Sequence, residues 1–216
     1  MHIKKLAHCC LLIDVKGADG RPRRILTDPG FYSLEEHDKL KHADIILITH
    51  EHPDHFHVES LKALVKRVPD ATIFTNDTVG GLLAKEGIEH HVMEHGNIID
   101  HKGVHIEAYG KLHALIHRSI PQSSNIGFFI ENKLFFPGDA FTDPGKPVDV
   151  LALPVAGPWM KISEAVDYAL AVKPRLAFPV HDGVRIPTNH LVPERILGAN
   201  GIEFVKLEEG GELELT

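Results

Sequence analysis

His50-Glu51-His52-Pro53-Asp54-His55 places four potential metal ligands, His50, His52, Asp54 and His55, in six consecutive residues. They follow directly on the compact apolar run from Ala43 to Thr49. Neutral imidazoles beside a carboxylate suit zinc and related divalent cations. The spacing calls for a turn, because a turn fans successive side chains toward two centres and a straight helix does not. The helical zinc-protease pattern His-Glu-x-x-His is excluded: it needs His at position 54, where the chain has Asp, and Pro53 would break the helix.

The flanks complete a strand, a ligand-rich turn and a helix. Ala43 to Thr49 reads as a buried strand, and Val58, Leu61, Leu64, Val65 and Val68 then recur at helical spacing until Pro69. Upstream, residues 7–14 and 24–27 read as strands joined by the turn Gly17-Ala18-Asp19-Gly20. Downstream, the pattern predicts a strand over 71–75, a helix over 78–86 and a strand-dominated stretch over 89–137. Ile162, Ala165, Val166, Ala169 and Leu170 form an amphipathic helix, and the strand Arg175 to Val180 then delivers His181. This order predicts an α/β fold of two mixed sheets, each covered by helices. With no repeat, low-complexity segment or Pro/Gly/Ser-rich linker, residues 1–216 read as a single domain.

Bulk properties exclude several classes. The chain has 216 residues, 43% hydrophobic and 25% charged, which suits a folded enzyme and argues against long disorder. A net charge of -7, with no basic run longer than Arg23-Arg24, disfavours nucleic acid as a partner. No apolar stretch approaches the ~20 residues of a membrane span, and the N-terminus lacks a signal-peptide pattern. Cys9 and Cys10 are adjacent and poorly placed to pair with each other. A cytoplasmic protein acting on a small-molecule substrate is expected, with homo-oligomerisation left open. Of the 17 histidines, His37, His42, His90, His91, His101 and His105 lie in polar surroundings and read as ordinary.

Taken with His113, Asp139 and His181 further on, the ligand-rich turn resembles the ordered metal ligands of the metallo-β-lactamase superfamily. Leu26-Thr27-Asp28-Pro29 looks like that family's early strand and aspartate, and Phe136-Pro137-Gly138-Asp139 like its Gly-Asp turn. The resemblance covers nearly the whole chain and implies a four-layer αββα sandwich. It implies that His50, His52 and His113 hold one metal, that Asp54, His55 and His181 hold a second, and that Asp139 bridges them. His117, four residues after His113, is the alternative third ligand. Asp28 would orient a ligand imidazole from behind.

Within the superfamily, Leu6-Ala7-His8, Leu153-Pro154-Val155, Gly157-Pro158-Trp159 and Pro179-Val180-His181 resemble the small branch that includes ascorbate-6-phosphate lactonase-like hydrolases. The extra domain of the RNA-processing nucleases is missing. His52 stands where flavin-linked diiron reductases characteristically have Glu. The implied cofactors are two divalent ions, zinc foremost, with manganese or iron admitted. The expected activity is a dinuclear hydrolase whose metal-bound hydroxide attacks an ester, lactone or phosphodiester. A redox diiron protein and a non-catalytic metal-binding module are the alternatives.

In that reading Asp54 orients the nucleophile, and His8 or His190 protonates the leaving group. Each histidine also has a plainer reading, His8 as a packed strand residue and His190 as a surface residue. Trp159 either lines the entrance or packs in the core. Asn125 and Lys161 either meet an anionic group or serve as a turn residue and a solvated side chain.

Overall fold

The computed structural model describes residues 1–183 and 190–215. The Pro187-Thr188-Asn189 loop read ahead of His190 lies outside the described residues. The first sheet takes β1 (His2–Ala7), β2 (Cys10–Lys16), β3 (Pro22–Thr27), β4 (Ile45–Ile48), β5 (Thr72–Thr75), β6 (His91–Val92) and, at the edge beside β1, β14 (Glu212–Glu214). The second takes β7 (Ile98–His101), β8 (Val104–Tyr109), β9 (Gly127–Ile130), β10 (Leu134–Phe136), β11 (Val150–Pro154), β12 (Leu176–Val180) and β13 (Glu203–Phe204). Both are mixed. Pairing is antiparallel from β14 through β1 and β2 to β3 and parallel from β3 to β6. It is antiparallel from β7 to β10 and parallel from β10 to β13.

Period-two alternation explains the layers. In β4, Ile45 and Leu47 enter the core between the sheets, while Ile46 and Ile48 face the helices. In β9 and β10, Phe128, Ile130, Leu134 and Phe136 point between the sheets, and Phe129 and Phe135 point outward. Outside the first sheet lie the short α1 (Leu34–His37), α2 (Val58–Arg67) and α3 (Asp77–Lys85). Leu61, Leu64, Val79 and Leu83 from α2 and α3 close a second core there. Outside the other sheet lie α4 (Ile162–Val172) and α5 (Leu191–Ala199), with Ala165, Val166, Ala169 and Leu197 in a third core. The result is helix, sheet, sheet, helix. Among the described residues, no helix is long and apolar enough to cross a membrane.

Helix starts follow capping chemistry: the Asn76 side chain accepts from the Val79 N–H and the His57 side chain from the Ser60 N–H. The strand expected over 7–14 is corrected. Ala7 pairs with Cys10 across a two-residue turn, with His8 in the left-handed region (φ 52°), so β1 stops and β2 begins within that span.

Candidate metal centre

Ligands in open α/β sheets gather beyond the carboxyl ends of parallel strands, and here both sheets deliver side chains that way. Asp28 follows β3, the His50–His55 turn follows β4, Asp139 follows β10 and His181 follows β12. The turn after β4 closes on itself, with the N–H groups of His55 and Phe56 donating to the His52 carbonyl. Gly138 takes φ 65°, and a Cβ there would run into the Asn125 amide oxygen and Thr49. Asp28 (φ 38°) and His181 (φ 58°) join His8 in left-handed backbone, an uncommon region for residues with side chains.

Two groups of potential ligands result. His50, His52, His113 and Asp139 offer atoms within 4.8 Å of one another, as do His8, Asp54, His55 and His181. Asp139 reaches into both: Oδ2 lies 3.3 Å from His113 Nε2 and 2.8 Å from His181 Nε2, and Oδ1 lies 3.2 Å from His55 Nε2. Asp54 Oδ2 stands 3.5 Å from His181 Nε2 and 3.7 Å from His55 Nε2.

Hydrogen-bond partners assign the tautomers. His55 Nδ1 donates to Asp28 Oδ2 at 2.7 Å, and His113 Nδ1 donates to the Ala114 carbonyl. Thr49 Oγ1 donates to Asp28 Oδ2, which leaves it to accept from His50 Nδ1 at 2.9 Å. In its neutral form each of these rings therefore turns an Nε2 lone pair inward. Nε2 of His55, His113 and His181 and Oδ1 of Asp139 are buried without a hydrogen-bond partner. Buried acceptors converging without donors are costly unless a cation sits among them, so this donor set fits divalent metal.

His8 differs. Its Nδ1 accepts from the Gly183 N–H at 3.1 Å, so its Nε2–H donates to Asp54 Oδ2 at 3.2 Å. That tautomer makes it a proton partner of Asp54 rather than a ligand. Cys9 also lies near His55 and Asp139, yet burial pushes its thiol pKa well up, and the neutral thiol is a poor metal ligand.

A family model described as the beta-lactamase superfamily domain matches residues 2–181. The chain belongs to the metallo-β-lactamase superfamily. It is 38% identical over 214 residues to Protein Rv0786c of Mycobacterium tuberculosis, covering 97% of this chain and 92% of that protein. It is 26% identical over 202 residues to a protein of Thermofilum pendens named UPF0173 metal-dependent hydrolase, covering 83% and 82%. The structure of Igni18, a metallo hydrolase from the archaeon Ignicoccus hospitalis, shares the fold with a TM-score of 0.73 at 19% identity, covering 100% of this chain and 99% of that one.

In this member of the metallo-β-lactamase superfamily the charges suit cation capture. Burial opposes charge on Asp139, but His55 and His181 outweigh it and hold the carboxyl pKa well below the usual range. Burial likewise opposes charge on Asp54, and contacts from His181 and His8 hold it low. Burial pushes His50 far down and His8 to about 4. For His55 and His181 burial is outweighed by Asp139, which lifts His181 to about 9 and His55 well up. A bound cation would take the place of those protons.

The structure also places the residues whose roles the sequence left open. His117 is exposed, its Nδ1 2.7 Å from Ser119 Oγ, while the buried His113 enters the ligand group. His190 belongs to neither ligand group, and its Nε2 lies 2.9 Å from Asp182 Oδ2. Asn125 takes the turn role: its amide donates to the Pro137 carbonyl and its oxygen accepts from the Asp139 N–H, pinning the Gly-Asp turn. Lys161 is exposed at the start of α4, where its N–H donates to Glu164. Trp159 is 8% exposed, and its indole N–H donates to Asp139 Oδ2 at 2.9 Å.

Sequence reading missed Thr49, Ser123 and Lys5. Ser123 Oγ lies 3.2 Å from His52 Nε2, leaving Nδ1 to face His50 Nε2 at 3.1 Å. Lys5 is fully buried, donating to the Pro179 and Leu207 carbonyls and to Asp182 beside His181. The alternation Ile3, Lys5 on a strand with an inward Ile3 was the available signal.

Proposed function

We propose that this chain is a metal-dependent hydrolase that holds two divalent cations, zinc foremost, and cleaves an ester, lactone or phosphodiester bond in a small molecule. The observation that carries this is Asp139, whose two oxygens face ligand atoms of both groups. His50, His52 and His113 would hold one cation with Asp139, and Asp54, His55 and His181 the other. When bound, the cations supply Lewis acidity, which makes water nucleophilic near neutral pH and polarises the scissile group.

The chain's own residues supply orientation and proton handling. Asp28 and Thr49 lock the His55 and His50 rings with their Nε2 atoms inward. The Asp54 side chain is 28% exposed, against 2% for Asp139, so it is the carboxylate that meets entering water and substrate. It would accept a hydrogen bond from the attacking water and so orient it, while His8 Nε2–H donates to its Oδ2 from the buried side. The exposed Tyr32 ring lies 5.0 Å from the His8 ring.

The test is metal analysis by inductively coupled plasma mass spectrometry on protein purified without an affinity tag or added metal. A panel of activated esters, lactones and phosphodiesters follows, with Asp139→Ala as control. About two equivalents of metal and turnover of one bond class, lost in the variant, are expected. No metal uptake on titration, or full turnover in Asp139→Ala, would overturn the proposal.

A further inference from the structure

The geometry points to Trp159, seated on Gly157, as the residue that fixes the rotation of the Asp139 carboxylate. The inference rests on the proposed role of Asp139 as the ligand common to both cations. Asn125 pins the backbone of Asp139 by accepting its N–H at 3.0 Å, but that leaves the side chain free to turn. The indole N–H removes this freedom by donating to Oδ2 at 2.9 Å. Oδ1 is then presented without a partner toward His55, and Oδ2 keeps a lone pair toward His113 and His181.

The ring is itself fixed. It packs at 5.3 Å from Phe141, 5.6 Å from His113 and 5.8 Å from His181, centre to centre. Gly157, at φ 152°, passes directly beneath it, and a Cβ there would come within 2.7 Å of Nε1. A tryptophan that only filled space would be served by any acceptor. This one spends its single donor on the carboxylate shared by both ligand groups, on a turn whose glycine makes room for it. Trp159 is thus a positioning residue, acting through Asp139 on the cations.

Because Trp159 is the only tryptophan, its fluorescence reports on the site directly. Metal-depleted protein is titrated with Co²⁺, following indole emission and the visible cobalt spectrum. Wild type should show quenching and a saturable spectrum. Trp159→Phe keeps a ring and loses the donor, so Co²⁺ affinity should fall about 10–100-fold with a changed spectrum. Gly157→Ala keeps the indole but displaces it and should shift affinity the same way; it carries the test alone if Trp159→Phe does not fold. Tyr168→Phe, which removes a buried hydroxyl bonded to the Thr142 carbonyl in the same core, should lower the melting temperature without altering cobalt affinity or spectrum. Wild-type affinity and spectrum in both Trp159→Phe and Gly157→Ala overturn the positioning role while leaving the metal centre intact. A wild-type protein that takes up no Co²⁺ overturns the metal centre and the inference together.

Discussion

Asp28→Asn should weaken cation binding at the proposed position that includes His55 while leaving the backbone in place. Asp28 is fully buried and its carboxylate accepts three hydrogen bonds: Thr49 N–H at Oδ1, 2.8 Å, and Thr49 Oγ1 and His55 Nδ1 at Oδ2, 2.8 and 2.7 Å. Asn tolerates the left-handed backbone (φ 38°) as well as Asp does, so the change is confined to the side chain. Whichever way the amide turns, its NH₂ faces a donor. Placed at Oδ1 it opposes one N–H; placed at Oδ2 it opposes the hydroxyl and the imidazole. One buried donor left unpaired costs about 1–3 kcal/mol. If His55 answers by moving its proton to Nε2, it stops being a ligand. Loss of such an outer hydrogen bond typically lowers metal affinity about 10–100-fold. Urea unfolding of the metal-free proteins measures the first effect, and metal content after dialysis against a graded chelator measures the second. An Asp28→Asn protein that keeps wild-type stability and metal content would refute the role given to this carboxylate.

Metal affinity should rise with pH: His55 and His181 carry raised pKa values in the cation-free protein, about 9 for His181, so binding displaces protons. Calorimetry in buffers of different ionisation enthalpy should detect the release, and an affinity independent of pH between about 6 and about 9 would contradict it. Glu107, on the second sheet, accepts from Lys146, Tyr109 and His105, and despite burial is held down to about 2. A depressed carboxyl stabilises the fold above its unfolded value near 4.5 and loses that contribution as pH falls through about 2. Discounted for solvent around Lys146, Glu107→Gln should cost about 1–2 kcal/mol near pH 7, with the gap to wild type narrowing near pH 3; a gap that widens there refutes the assignment. Burial pushes Cys9 well up and Cys10 to about 12, so native protein should resist iodoacetamide at neutral pH and react only when unfolded; stoichiometric alkylation of the native state would contradict this.

What the sequence exposed was local. The buried run before His50, the helical spacing after it and the strand ahead of His181 each depend on neighbours within a few residues, and all three elements form where the pattern put them. The turn at His8-Cys9 was hidden because the residues on both sides are apolar, leaving alternation no break to show. Trp159, Asn125 and His190 were ambiguous for another reason. Each is defined by a partner that the fold brings up: Asp139 for the indole, the Gly-Asp turn for the amide, Asp182 for the imidazole. Composition around Trp159 says only that a large ring stands in a Gly-Pro turn.

The centre draws its side chains from the ends of strands in both sheets, from Asp28 to His181. A cation held there would be a further cross-link between two halves that also meet through packed side chains and hydrogen bonds such as Lys5 to the Pro179 carbonyl. The binding energy is then also adhesion between layers: at a free concentration 100 times the dissociation constant it adds about 2.7 kcal/mol to the fold. It also sets an order on assembly. The His50–His55 turn is synthesised early, but in the proposed two-cation centre the second position would stay open until His181 has joined the sheet, so full loading would mark a chain whose two halves have already closed.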